Sequence, residues 1–289
     1  MKKLVLIILV LVLSGFGYST IQSNLEQVQT IKFTSTDGST TFKIKNWVEN
    51  QPLEPIKEKI LAAYLYIKEE TIQTDYKHED VITIHLYEGN QRSYATKKEI
   101  VLYAFDNYDY VIAHELAHVL LGYNFQQEAH LGMLTQEGFA EYVQIQLGNE
   151  QNYNYQISPH KHANYFFKQG ALSSLTDLID NEPLLQLVTN PKNGHMTTDL
   201  TDTFRIWMFY VEAASFVSFL IDVYGLEQFE KVYNQPYLLT LLPAVYEKNI
   251  PELEQEWHTY LANPFFSYKE EELLHPTVKS VKYYVPLLN

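Results

Sequence analysis

Apolar and polar positions alternate from Thr30 to Trp47 (TIKFTSTDGSTTFKIKNW), and Asp37-Gly38 breaks the alternation at its middle. A period of two marks a half-buried strand, and Asp-Gly between two such runs marks a hairpin turn. From Pro55 the period changes. Ile56, Ile60, Leu61, Tyr64 and Ile67 recur at helical spacing, which predicts an amphipathic helix from Pro55 to about Glu70. VITIHLY (Val81–Tyr87) and EIVLYAF (Glu99–Phe105) read as strands. Beyond them the chain reads as helical: an apolar run at Val111–Leu121, then LTQEGFAEYV (Leu134–Val143), YVEAASFVSFLIDVYG (Tyr210–Gly225) and NIPELEQEWHTYL (Asn249–Leu261). The stretches Gly148–Ala163 and Thr189–Thr203 are polar and rich in Asn, Pro, Thr and His, and they predict loops placed to cover a cleft. This order of elements predicts an α+β fold, a small mixed sheet followed by a helical C-terminal lobe.

At 289 residues the chain is long enough for a full core, and one unit of two lobes is expected, residues 21–148 and 149–289. Met1–Thr20 has two lysines, an apolar stretch from Leu4 to Leu13, then Gly15 and Gly17. That is the pattern of a secretory signal peptide, short for a membrane span of about twenty residues, with an uncleaved anchor as the alternative. Membrane association is expected through this segment only. The chain has no cysteine, so neither disulfides nor thiol chemistry are open to it. Its formal charge of −14 argues against nucleic acid as a partner. Secretion, or residence on the outer face of the cell membrane, fits both observations.

The apolar run VIAHELAHVLL carries His114, Glu115 and His118. Residues four apart lie on one face of a helix, so both imidazoles can reach a single Zn2+, the ligand spacing of a zinc peptidase. Glu115 stands about 100° round the helix from His114 and about 60° from His118. Its carboxylate falls near a metal-bound water, where it can take a proton and later return it to a leaving amine. A catalytic site of this kind needs a third protein donor. The metzincin pattern would put Gly at 121 and His at 124, whereas this chain has Leu121 and Asn124.

Eighteen residues separate His118 from Glu137, which is followed by Gly138, Phe139 and Ala140. His-Glu-x-x-His, eighteen residues, then Glu-Gly-Phe-Ala resembles the gluzincins, the aminopeptidase N and thermolysin-like group with a peptidase MA-like domain. The motif-bearing part runs from about Ile100 to Leu261, and the stretches around Tyr210–Gly225 and Asn249–Leu261 resemble the C-terminal helices of small bacterial members. The resemblance implies a zincin-like fold and a zinc metallopeptidase acting on peptides or proteins. It implies Glu137 as third zinc ligand and Glu141 as the acid that hydrogen-bonds the outer nitrogen of a zinc histidine. It also implies that residues near Ile100–Ala104 form the sheet edge along which an extended substrate pairs.

Family members stabilise the oxyanion with a Tyr or His of the helical lobe. Tyr210, at the head of its predicted helix, is the first candidate, with a packed core tyrosine as the competing reading. His195, in NPKNGHMTTD, is the second. His160 and His162, in a polar stretch, read as solvated. No Gly-x-Met-Glu-Asn segment precedes His114, so exopeptidase action lacks support and an endopeptidase is the better expectation. Two further readings stay open: a catalytically silent zinc-binding module at the cell surface, serving in binding or sensing, and a structural zinc site closed by a fourth ligand such as His130.

Overall fold

The computed structural model describes residues 28–89, 91, 93–103, 108–122, 133–148, 157–180 and 200–288. Met1–Thr20, His130, His195 and the greater part of the two polar stretches lie outside these residues. The hairpin forms as its alternation predicts. Strands β1 (Gln29–Thr34) and β2 (Thr41–Asn46) pair antiparallel, with Ile31 opposite Ile44 and Phe33 opposite Phe42. Asp37 fixes the turn by accepting hydrogen bonds from Ser35 Oγ at 2.6 Å, the Ser39 amide at 3.1 Å and the Tyr64 hydroxyl at 2.9 Å. These donors, Ser35 foremost, hold its carboxyl well below the usual range.

Helix α1 (Leu53–Glu70) starts two residues before Pro55, with Pro52 as its N-cap, and buries Ile56, Ile60, Tyr64 and Ile67. It carries the chain across to β3 (Val81–Tyr87), which lies parallel to β2. Strand β5 (Glu99–Tyr103) adds in parallel to β3. A strand of only two residues, β4 (Tyr94–Ala95), adds antiparallel to β5, giving the order β1-β2-β3-β5-β4. The expectation that Ile100–Ala104 forms the sheet edge is therefore corrected at Ile100 and Val101, which pair with Ala95 and Tyr94, so that among the described residues β4 is the edge on this side; Ala104 lies outside the described residues. Two residues are too few to register as an alternating run, so the sequence pattern could not reveal β4.

Ile44, Ile82, Ile84, Leu86, Ile100 and Leu102 line the inner face of the sheet, buried in the same apolar cluster as α1 and α2 (Tyr108–Leu121). The rest of the described chain is helical: α3 (Met133–Leu147), α4 (Pro159–Gln169), α5 (Leu175–Ile179), α6 (Leu200–Tyr224), α7 (Leu226–Glu230), α8 (Leu238–Tyr246), α9 (Ile250–Leu261) and α10 (Pro276–Tyr284). The architecture is α+β, with a small mixed sheet and a helical remainder. One apolar cluster runs without a break from Phe42 in the sheet to Trp257 in α9.

The loop expected over Gly148–Ala163 is corrected from residue 159 onward, because α4 begins at Pro159. The loop expected over Thr189–Thr203 is corrected from residue 200, where α6 begins. His160 and His162 are accordingly not solvated. Both are buried, His162 completely, with His160 Nδ1 3.0 Å from Ser215 Oγ and His162 Nδ1 2.7 Å from the Tyr268 hydroxyl. Burial pushes them down to about 4 and about 3, so both are neutral at pH 7. The start and stop signs of α4 are present in the sequence: Pro159 at the first helical position, and Gly170 in the left-handed conformation just past the end.

Helix α6 has the length and apolar content of a membrane span, yet most of its apolar stretch is inside the protein. A helix apolar on all sides must be surrounded, and α6 is the axis of the helical part, packed on by α3, α4 and α9. Gly138 lets α3 approach it. A Cβ at that position would sit 2.6 Å from the Ala213 carbonyl oxygen and 2.6 Å from Val217 Cγ2. Backbone cannot yield as a flexible side chain can, so Gly138→Ala is expected to destabilise the fold by about 1–3 kcal/mol through overpacking. A fall in the denaturant midpoint at unchanged slope is the corresponding readout.

Candidate metal centre

Every residue of α2 from Ile112 to Leu121 is buried, because the helix lies between the sheet and α3. Residues 134–141 of α3 are likewise all buried. Such helices leave no solvent-facing side for polar groups, and their ionisable residues face one another across the helix pair. His114 and His118 turn toward α3 and Glu137 turns toward α2. The Nε2 atoms of the two imidazoles are 3.2 Å apart, and Glu137 Oε2 is 3.2 Å from the first and 3.3 Å from the second.

This triangle has the size of a metal site. Donors about 2.0–2.1 Å from a tetrahedral zinc stand about 3.3–3.4 Å from one another, so the three atoms match one face of a coordination tetrahedron. His114, His118 and Glu137 together could hold a metal ion. Glu141, one turn beyond Glu137, places Oε1 3.5 Å from His114 Nδ1, on the side of the ring away from the triangle. It stands where a carboxylate can fix the tautomer of a ligating imidazole. Glu115 is buried beside them, and its charge acts on His114.

Three carboxylates and two imidazoles are thus withdrawn from water together, with Glu137 only 2 % exposed. Buried charge is tolerated when it is paired or bound to metal. Burial pulls His114 down, but the hydrogen bond it donates to Glu137 and the charges of Glu141 and Glu115 outweigh it and raise the imidazole to about 9. Burial pushes Glu137 up, and the two imidazoles overcome that and hold it well below the usual carboxylate range. A cation held by these donors would supply the compensating charge in place of a proton.

Tyr210 lies in the middle of α6 rather than at its head, since the helix starts ten residues earlier. Its ring centroid is 6.4 Å from that of His114. The structure thus brings His114, Glu115, His118, Glu137, Glu141 and Tyr210 into one neighbourhood. His195 lies outside the described residues. Sequence reasoning missed Tyr233, buried on the far side of α3 with its ring 5.4 Å from Phe139. Burial and the nearby Glu137 charge both raise its hydroxyl. No periodic or motif signal points to it, for its place depends on how the chain returns after α7. A scan of family models and a search of curated proteins each gave no match to this chain.

A cation must displace the proton that His114 holds at neutral pH. Apparent zinc affinity is expected to rise by up to about tenfold per pH unit from pH 7 toward 9 and to level off above, as read by competition with a chelator of known affinity. The metal-free protein should behave in the opposite sense. The stability that the His114 proton contributes is fully present below the ordinary imidazole value of 6.5 and is lost as pH rises through about 9. Its denaturant midpoint should fall across that window.

Proposed function

We propose that this protein is an exported zinc-dependent metallopeptidase, an endopeptidase for extended peptide or protein substrates. The observation that carries the reading is the donor triangle of His114, His118 and Glu137, 3.2–3.3 Å on each side, with Glu115 buried next to it. Two imidazoles and one carboxylate suit Zn2+ better than softer or harder cations. When bound, zinc supplies a Lewis acid that acidifies water to near neutrality and polarises a carbonyl.

The chain's own residues supply the rest. Glu115 accepts a proton from the attacking water and delivers it to the departing amine nitrogen. Glu141, its Oε1 3.5 Å from His114 Nδ1, is placed to hold the ring so that Nε2 is free to ligate. The Tyr210 hydroxyl donates to the oxygen that becomes negative as the carbonyl is attacked. The edge of the sheet next to α2 is β4, so an extended substrate would add its backbone at Tyr94–Ala95. The signal-like segment Met1–Thr20 supports export.

The decisive experiment pairs wild type with Glu115→Ala, measuring bound metal and cleavage of a quenched peptide library. Both proteins are expected to carry about one zinc, with hydrolysis by wild type only and abolished by chelation; loss of the base should reduce kcat by at least about 100-fold. Zinc in both with cleavage by neither would instead support a catalytically silent zinc-binding module. Absence of zinc from wild type would overturn the reading of the site.

A further inference from the structure

Two helices that donate to one cation must be held in fixed register, and the corner after α7 contacts both. Asn234 adopts a left-handed backbone there, at φ 54°. Its amide donates to Thr135 Oγ1 at 3.1 Å, its Nδ2 donates to the Gly122 carbonyl at 3.4 Å, and its Oδ1 accepts from Gln136 Nε2. Gly122 immediately follows α2, and its own amide donates to the His118 carbonyl at 3.2 Å. Gln136 immediately precedes Glu137. One side-chain amide therefore reaches the turn that carries one imidazole donor with its nitrogen, and the turn that carries the carboxylate donor with its oxygen.

The surroundings leave this corner little freedom. The Tyr233 hydroxyl donates to the same Gly122 carbonyl at 3.3 Å. Gly122 has φ +96°, and a Cβ there would lie 3.0 Å from the Tyr76 ring and 3.3 Å from Asn234 Nδ2. Asn suits the left-handed backbone better than most residues, but Gly would suit it as well. The need for Asn specifically lies in its paired donor and acceptor, which Gly lacks and Asp supplies only in half.

We propose that Asn234 is a positioning residue for the metal centre. It sets the separation between the imidazole pair on α2 and Glu137 on α3 without touching the cation. The inference rests on the reading of His114, His118 and Glu137 as ligands. A metal site tolerates displacements of only about 0.2 Å in its ligand distances, so relaxing the tie between its two helices costs affinity even when both helices remain folded.

Asn234→Gly keeps the left-handed backbone and the amide bond to Thr135 while removing both side-chain bonds. Asn234→Asp keeps an acceptor for Gln136 but sets a carboxylate oxygen against the Gly122 carbonyl. For wild type and both variants, the measurements are the zinc dissociation constant by chelator competition and the thermal midpoint of the metal-free protein. About tenfold weaker zinc binding is expected in each variant, with the metal-free midpoint of Asn234→Gly within a few degrees of wild type. Dissociation constants within twofold of wild type in both variants would overturn the proposal. A lowered metal-free midpoint with unchanged zinc affinity would do the same, because the residue would then only shape its turn. If Asn234→Gly loses cooperative unfolding, Asn234→Asp decides by the same criterion. Wild type that binds no zinc overturns the reading of the centre and this inference with it, whereas tight wild-type binding matched by the variants overturns this inference alone.

Discussion

Three glutamates and two histidines share one buried space between α2 and α3, and the arrangement of the chain around that space follows from the need to compensate their charge. A carboxylate taken from water into a protein interior is penalised by several kcal/mol unless a counter-charge meets it. Here His114 meets it, and the carboxylates around that imidazole hold it in its protonated form near neutrality. A divalent cation meets it better, since it satisfies three donors at once. The same groups that would destabilise an ordinary core thus form a cluster that could hold a cation.

Such a cluster is viable only if the helices bearing it cannot drift. Both are apolar around most of their circumference, so neighbours surround them: the sheet and α1 on one side, α6 on the other. Gly138 permits contact between the backbone of α3 and that of α6, and this brings Tyr210 to the same end of the site as His114. Phe139 fills the opposite side of α3 by stacking on Phe229 at 5.2 Å and meeting Tyr233 edge-on. Glu137 and Glu141 flank that phenyl ring in sequence and face away from it in space. Packing on one side of α3 therefore orients the chemistry on the other.

Much of this was legible in the residues. The hairpin around Asp37-Gly38, the helix through Ile60 and Tyr64 and the two longer central strands follow from periodicity alone. The pairing of His114 with His118 follows from a four-residue spacing. Glu137 and Glu141 came from a family resemblance, and the geometry sets both against the imidazoles. Other features left no periodic trace. β4 is too short for a pattern, and its partner decides that it is a strand. The polar residues of α4 hid a buried helix, because His160, Lys161 and Asn164 find partners in Ser215, Glu272 and the Leu261 carbonyl, each distant in sequence. A polar residue with a pre-arranged partner is as buriable as an apolar one, and a sequence does not display the partner.

The sequence by itself determined the hairpin, the longer central strands, the helix through Ile60 and which residue types stand at metal-ligand spacing, because these depend on local periodicity and on groups within a turn or two of one another. Only the tertiary structure decided which strand is the sheet edge, that the histidines of α4 are core residues, and that the carboxylate of one helix comes within 3.3 Å of the imidazoles of another. Those outcomes depend on contacts between residues far apart in the chain, and they are fixed by packing and charge compensation across the whole core rather than by any local pattern.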